Sequence, residues 1–476
     1  MSQQVFARRV TGVETEYGIT CVHDGGGKRL PAEEIARYMF RPVVDTWSSS
    51  NVFLENGARL YLDVGSHPEV ATAECDTLAG LIAQERAGDR IVNDLAAKAE
   101  AKLANESIGG RVYLLKNNLD SFGNSYGCHE NYLVGRSAVL KTLGQQLLPF
   151  LITRQLICGA GSIQDGRFQI SQRADHVWEG VSSATTRSRP IINTRDEPHA
   201  DSHRFRRLHV IVGDSNMSET SMALKVGATQ LVLEMIEAGI ALPVQALAQE
   251  MQAIRDISRD TTGAVAVQLS DGSQLSALAI QRRYCHAAHD WLEQRPDEGT
   301  PTEQMRKVVA LWAKVLDAIE AGDLDAISTE VDWAIKLKLL RQFQQRLGLE
   351  PEDFSHPKLQ QIDLAYHDIR PGRGLFLALE AKGALARWID DAAIERAMTT
   401  PPSTTRAALR GAFLSQAQEL SAPVACDWLR LKVLRPEPQI VELSDPLQAH
   451  SDQVASLLEY MRTHHGSKAE DGSQAH

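Results

Sequence analysis

Apolar and polar residues alternate along short stretches of the first third of the chain, which is the pattern of half-buried β-strands. Gly65-Ser66-His67-Pro68 separates two of these stretches and predicts a hairpin turn. Two longer stretches, 31–44 and 77–105, have the apolar spacing of helices, with Pro31 at the first turn of the former. The predicted strands are 8–22, ARLYLDV (58–64), EVATAEC (69–75), RVYLLKNN (111–118) and HENYLVGR (129–136).

The middle of the chain has apolar spacing of three and four, which predicts helices over 219–239 and 301–346. LHVIVGD (208–214) is predicted to be a buried strand. The apolar run 147–161 is interrupted by Arg154 and is too short to span a membrane, so it is interpreted as a core helix.

A turn near residue 400 predicts a domain boundary. The pattern as a whole indicates an α+β protein with three parts: a large domain over 1–400, a small C-terminal domain over 401–465 and a mobile tail over 466–476.

The composition of the chain argues against several classes of function. Hydrophobic residues make up 43% of the 476 residues and charged residues 23%, as in soluble globular proteins. The net charge of −11 argues against nucleic-acid binding, and without an 18-residue apolar run we expect no membrane span. The first ten residues lack the apolar stretch of a secretory signal. Six cysteines without a C-x-x-C pair argue against a zinc site and favour a reducing cytoplasm.

Glu14 and Glu16 are separated by one residue, so on a strand both carboxylates face the same side. Two negative charges about 7 Å apart are unfavourable unless water or a cation lies between them. Arg59, Tyr61 and Asp63 share one face of the next strand, and Glu69 follows the turn. Together these residues predict a Mg²⁺ site on one sheet face, and a solvated polar face is the alternative.

Two further stretches carry candidate chemistry. His129 and Asn131 share a strand face. Two interpretations of His129 are open: it binds phosphate or metal, or it is a hydrogen-bonded core residue. An arginine cluster precedes the 208–214 strand and suits phosphate binding, or it is a surface loop with exchangeable ion pairs. The chain has no P-loop motif and no G-x-S-x-G motif. The cluster comprises Arg187, Arg189, Arg195, Arg204, Arg206 and Arg207, with His209 at the head of the strand.

ATP-dependent activation of a carboxylate requires carboxylate side chains that bind a metal ion and arginines that bind the phosphate groups. A carboxylate resists attack by an amine because its leaving group is oxide, whereas an acyl phosphate has a good leaving group. The incoming amine must also lose a proton, which calls for an acidic residue as base. Asp63 is the best candidate because it neighbours the predicted metal site.

Longer motifs carry a resemblance that extends from about residue 8 to past residue 430. They include GVETEYG (12–18), NGARLYLDVGSHPEVATAECD (56–76), KNNLDSFGNSYGCHENYL (116–133), RRLHVIVGDSNMSE (206–219) and PPSTTRAALRG (401–411). With these motifs the chain resembles the Pup ligases, one branch of a family related to carboxylate–amine ligases that also contains the Pup deamidases. This resemblance implies a glutamine-synthetase-like α+β fold for a catalytic domain over 1–400, with a curved antiparallel sheet cradle backed by helices, and a small C-terminal domain.

The resemblance also implies the reaction. ATP phosphorylates the γ-carboxylate of the C-terminal glutamate of Pup, the prokaryotic ubiquitin-like protein. The ε-amine of a lysine in a substrate protein then displaces phosphate, and the isopeptide bond marks that protein for proteasomal degradation. The implied setting is the bacterial cytoplasm.

The same resemblance implies site residues by motif. By this resemblance, Mg²⁺ would be held by Glu14, Tyr61 and Glu69. ATP would be contacted by Arg59, Thr72 and Trp428, and Asp63 would be the proton acceptor. Strand faces and local charge add four residues to these sets: Glu16 and His209 to the metal set, and His129 and Arg195 to the ATP set.

Three alternatives stay open. A Pup deamidase, or depupylase, shares the fold, but the short gap between Tyr38 and Asn56 and the HPEVATAECD motif favour the ligase. A small-molecule γ-glutamyl ligase would use free glutamate and an amine. A non-catalytic binding module is disfavoured by the acids at positions 14, 63 and 69.

Overall fold

The computed structural model describes residues 5–23, 30–63, 65–120, 123–183 and 189–466. Its strands are β1 (Thr11–Glu16), β2 (Gly18–Val22), β3 (Asn51–Phe53), β4 (Arg59–Leu62), β5 (Pro68–Ala71), β6 (Arg111–Leu115), β7 (Cys128–Gly135), β8 (Ser162–Gln164), β9 (Arg167–Gln169), β10 (Glu179–Ser182), β11 (Pro190–Asn193), β12 (Phe205–Val210), β13 (Ala266–Gln268), β14 (Gln274–Ser276), β15 (Val424–Cys426), β16 (Arg430–Val433) and β17 (Gln439–Glu442).

The helices are α1 (Ala32–Trp47), α2 (Leu78–Asn105), α3 (Leu140–Thr153), α4 (Gln155–Cys158), α5 (Glu219–Glu237), α6 (Glu250–Ser258), α7 (Ala277–Trp291), α8 (Thr302–Ala321), α9 (Asp332–Leu347), α10 (Pro357–Tyr366), α11 (Leu375–Ala381), α12 (Asp391–Thr399), α13 (Ala407–Glu419) and α14 (Asp452–His465). Among the described residues, no helix combines the length and the apolar character needed to cross a membrane.

An eight-stranded sheet organises the molecule, in the order β10–β11–β12–β7–β1–β5–β4–β3. The α+β class is confirmed. The predicted antiparallel arrangement is confirmed for every neighbouring pair of this sheet except β10 and β11, which run parallel.

The two faces of this sheet differ because side chains alternate along each strand. One face carries Val13, Leu60, Val70, Tyr132 and Leu208, which are all nearly inaccessible to solvent. These residues pack into the apolar clusters that contain buried residues of α2, α3 and α5. The other face carries polar side chains, so the packed face fixes the strand register and the register places the polar groups.

The predicted hairpin is confirmed, with Tyr61 opposite Glu69 and Leu62 opposite Pro68. Gly65 in its turn has a φ of +87°, a left-handed conformation that favours glycine. The prediction of a single strand over 8–22 is wrong. Tyr17 is buried with its hydroxyl donating to Asp89 (2.7 Å), and the chain beyond it pairs with β6 in a separate two-stranded sheet.

The helix predictions hold, with one interruption. Residues 301–346 form two α-helices rather than one, because α8 ends where Gly322 takes a left-handed φ of +68°. The core helix interpretation of 147–161 is confirmed by α3 and α4. Arg154 between them is buried and donates from Nη1 to Glu130 Oε2 (2.8 Å), which satisfies its charge.

Beyond residue 400, α13, α14 and a three-stranded sheet of β15, β16 and β17 share a small core. Phe413, Leu431 and Met461 are buried there against Phe53 of the main sheet. The division into domains at 400 stays a prediction. Residues 467–476 of the predicted tail lie outside the described residues.

Candidate active site

The polar face of the sheet gathers acids from neighbouring strands. Glu16 lies opposite Glu69, which in turn lies opposite Tyr61 on the next strand. Glu14 lies opposite His129 on the other side of β1. Because partners across a ladder point to the same side, the predicted shared face of these residues is confirmed.

Glu16, Asp63 and Glu69 form the first cluster, each offering a carboxylate oxygen within 4.8 Å of the others. The Tyr61 hydroxyl donates to Glu69, and the Gly127 N–H donates to Glu16 Oε1 (2.9 Å). Burial, together with the charges of Glu14 and Glu16, raises the pKa of Glu69 well above its usual range. A divalent cation fits this cluster because its positive charge offsets the repulsion between the carboxylates. Carboxylate oxygens are also the ligands that Mg²⁺ prefers.

Glu14, His129 and His209 form the second cluster, with the same spacing. His129 Nδ1 lies 3.2 Å from Glu14 Oε2, and the Asn131 amide donates to Glu14 Oε1 (2.9 Å). Burial alone would raise the pKa of Glu14, but the hydrogen bond with His129 and the nearby His209 and Arg207 lower it overall. Burial lowers the pKa of His209 to about 3. An anionic carboxylate and a neutral imidazole are the forms that bind a metal.

An open pocket lies beside the two clusters. Its walls come from the polar sheet face, from the segment around His199 and from the C-terminal region. The Thr72 hydroxyl in one wall accepts the Val13 N–H (3.1 Å). The chemically distinctive residues of the lining are Glu14, Arg59, Tyr61, Thr72, Glu74, Asn131, His199, Arg207, Arg406 and Trp428.

Comparison with known proteins identifies the family. A family model described as Pup-ligase protein matches residues 9–432. The chain belongs to the Pup-ligase family. Among its relatives, the Pup–protein ligase of Corynebacterium diphtheriae is 68% identical over 468 residues, covering 98% of each chain. That of Corynebacterium aurimucosum is 58% identical over 472 residues, covering 98% of this chain and 99% of the relative.

Solved structures of this family share the fold. The ligase PafA in a complex with the ubiquitin-like protein Pup is 57% identical, with a TM-score of 0.93 over 97% of this chain and 93% of that chain. PafA in complex with ADP is also 57% identical, with a TM-score of 0.85 over 93% of this chain and 96% of that chain.

Most of the predicted site residues lie together in this member of the family. Glu14, Arg59, Tyr61, Thr72 and Trp428 line the pocket. The two clusters bring in five further residues, which are Glu16, Asp63, Glu69, His129 and His209. The structure therefore places His129 beside the predicted metal ligands rather than in the pocket lining. The roles of all these residues stay predictions.

Arg195 lies apart from the others. Its side chain is 61% exposed and pairs with Glu197 (2.8 Å), outside the pocket lining. Among the described members of the arginine cluster, Arg207 lines the pocket. Its Nη1 donates to Asn131 Oδ1 (2.9 Å) and lies 3.6 Å from Glu14 Oε1. Arg187 lies outside the described residues.

The sequence assigns no role to His199 or Arg406. It places Arg207 only within the arginine cluster that suits phosphate binding, and Asn131 only on the strand face of His129. Asn131 and Arg207 had a usable signal, since each shares a strand face with a residue that was assigned: His129 on β7 and His209 on β12. His199 and Arg406 had none. They reach the pocket from a loop and from the start of α13, and no local pattern marks either one.

Proposed function

We propose that the chain ligates the γ-carboxylate of the C-terminal glutamate of Pup to the ε-amine of lysines in substrate proteins, at the expense of ATP. One observation supports this more than any other. Two metal-competent clusters and a pocket that holds Arg207 share one sheet face, in a member of the Pup-ligase family. An ATP-dependent reaction also supports a cytoplasmic location.

ATP occupies the pocket in this proposal, with Arg59, Thr72 and Trp428 as contacts. Glu14, Glu16, Tyr61, Glu69 and His209 are the residues that would hold Mg²⁺. When bound, Mg²⁺ neutralises phosphate charge and polarises the phosphorus–oxygen bonds.

The first step forms an acyl phosphate. A γ-carboxylate oxygen of Pup attacks the γ-phosphorus, the bond to the β-phosphate oxygen breaks, and ADP leaves. Arg207 is the described arginine best placed to stabilise the charge on the transferring group. Its guanidinium lies in the pocket, 15% exposed, between Asn131 and Glu197.

The second step forms the isopeptide bond. The lysine amine attacks the acyl carbon, inorganic phosphate leaves with the bonding electron pair, and a carboxylate takes the amine proton. Asp63 fits this role because it is half-buried whereas Glu16 and Glu69 beside it are buried. An arriving amine therefore reaches Asp63 first.

A conjugation assay tests the proposal. The protein is incubated with Pup ending in glutamate, ATP, Mg²⁺ and a lysine-bearing protein, and intact mass is measured. We expect the substrate mass to rise by that of Pup less one water. Release of Pup from a preformed conjugate, without new conjugation, would instead identify a depupylase. ADP formation from free glutamate and an amine without Pup would identify a small-molecule ligase.

A further inference from the structure

Trp428 lies in the pocket wall and is held by residues behind it. Its indole meets the Phe53 ring edge-on, with centroids 4.8 Å apart at 90°. The guanidinium of Arg410 lies over the same indole, 5.1 Å from the ring centroid, and 4.8 Å from the centroid of Phe53. Arg410 is fully buried and is not part of the pocket lining, so it acts on the pocket only through the lining residues that it contacts, which are Trp428 and Glu74.

Glu74 fixes the orientation of Arg410. The two terminal nitrogens of Arg410 donate to the two carboxylate oxygens of Glu74, each at 2.8 Å. Arg410 also donates to the carbonyl oxygens of Gly57 (3.2 Å) and Trp428 (3.3 Å). One planar group therefore contacts both the ring and the backbone of Trp428, in an orientation that a bidentate ion pair defines.

Glu74 also binds Arg406, which lines the neighbouring wall of the pocket. Arg406 Nε donates to Glu74 Oε1 (2.7 Å), and its terminal nitrogens donate to the carbonyls of His199 (2.5 Å) and Leu443 (2.6 Å). The rings of His199 and Trp428 lie 6.0 Å apart across this region. Glu74, which follows β5 of the main sheet, thus holds the Trp428 ring through Arg410 and the His199 backbone through Arg406.

We propose that Arg410, clamped by Glu74, is a positioning residue for Trp428 and thereby sets the affinity of the pocket for an adenine nucleotide. The inference rests on the proposed function for the identity of the ligand. A lysine at this position keeps the charge toward Glu74. It cannot keep two parallel hydrogen bonds, the contact with the Trp428 carbonyl and a flat face against the indole.

Equilibrium binding of ADP with Mg²⁺, measured by calorimetry, tests the proposal without any need for Pup. We expect Arg410→Lys to weaken ADP binding about tenfold, and Trp428→Ala to weaken it by as much or more. If Arg410 acts through Trp428, the double variant binds ADP within about twofold of Trp428→Ala alone. In conjugation kinetics, Arg410→Lys raises the KM for ATP, while the KM for Pup stays within about twofold of wild type.

Arg295 provides a matched control. It is buried and pairs in bidentate fashion with Glu234, which also accepts the indole N–H of Trp291, and it lies outside the pocket lining. Arg295→Lys should lower the melting temperature to a similar extent and leave ADP affinity unchanged. If Arg410→Lys yields no folded protein, Glu74→Asp takes its place, alone and combined with Trp428→Ala, because it shortens the ion pair and retains the charge. Glu74 also lines the pocket and holds Arg406, so the inference is supported only if the loss of ADP affinity disappears when Trp428 is already alanine, and additive losses overturn it.

Two results would overturn the inference: wild-type ADP affinity in folded Arg410→Lys, or full additivity in the double variant. Both are separable from failure of the proposed function. A wild-type protein that binds ADP but does not conjugate Pup would refute that function, and the binding comparison would still decide the role of Arg410.

Discussion

Asp63 follows the end of β4, half-buried beside two buried glutamates. Its N–H donates to the carbonyl of His67 (2.9 Å), which holds the residue at the base of the hairpin turn. The side chain is thereby presented at the open side of the cluster. This placement makes it the residue whose replacement separates proton transfer from nucleotide binding.

We expect Asp63→Asn to bind ADP with near-normal affinity and to conjugate Pup about 10²- to 10⁴-fold more slowly, because an amide cannot accept the amine proton. Calorimetry and a time course of conjugate formation measure the two quantities. Asp45→Asn, at a position with a 70% exposed side chain, is the control. Conjugation by Asp63→Asn at the normal rate would show that another group is the base.

Arg207 is expected to act on the transferring phosphoryl group. Arg207→Lys should lower kcat about 10- to 100-fold with a smaller change in the KM for ATP, since lysine lacks the planar fork. Steady-state conjugation kinetics provide both values. The neighbouring Arg206 donates to the Arg136 carbonyl and pairs with Asp196, so Arg206→Lys should retain wild-type kcat. Equal losses in both variants would contradict the assignment.

At the scale of strands and helices, the sequence predicts those elements whose signal lies within one contiguous stretch. The hairpin of β4 and β5 was predictable because its alternation and its Gly-Ser-His-Pro turn are contiguous. The end of β1 was not predictable, since alternation continues through Tyr17 while the chain moves to another sheet. The grouping of His129 and His209 with Glu14 depends on the strand order β12–β7–β1, which no single stretch encodes.

The turn between β3 and β4 gives an element-scale test. Gly57 has a φ of +82°, and a Cβ there would lie 2.9 Å from the Cβ of Ala407 at the start of α13. We expect Gly57→Ala to lower the free energy of unfolding by about 2–4 kcal/mol through strain and overpacking. Gly322→Ala, with a similar φ of +68° and open space around it, should cost only about 1 kcal/mol. Urea titrations compare the two, and equal losses would show that the contact with Ala407 is unimportant.

At the scale of the whole molecule, the C-terminal region is joined to the main sheet through charge as well as apolar packing. Glu74 lies in sequence 332 residues from Arg406 and 336 from Arg410, and all three are buried. Such a pairing has no local sequence signal. It is also sensitive to acid, because a buried arginine that loses its carboxylate partner is strongly unfavourable.

Burial would raise the pKa of Glu74, but Arg410 and Arg406 lower it to about 2, from an ordinary value of 4.5. Its contribution to stability is therefore complete above pH 4.5 and is lost as pH falls toward 2. We expect Glu74→Gln to be less stable than wild type by roughly 3 kcal/mol at pH 7, and the difference to shrink below pH 4.5 as Glu74 becomes protonated. Denaturant titrations at several pH values measure it.

Glu33→Gln, at a position with a 74% exposed side chain, is the control and should match wild type throughout the pH range. A difference between Glu74→Gln and wild type that stays constant from pH 7 to pH 3 would contradict a role for the charge of Glu74.

The long sequence separation within the nucleotide pocket has a consequence for the newly made chain. Glu14, Tyr61 and Thr72 leave the ribosome early, whereas Arg406 and Trp428 emerge when most of the polypeptide is already outside. A nascent protein therefore cannot form the complete nucleotide pocket until both of these late residues have emerged. The first catalytic turnover therefore has to wait until the C-terminal part of the pocket has been synthesised.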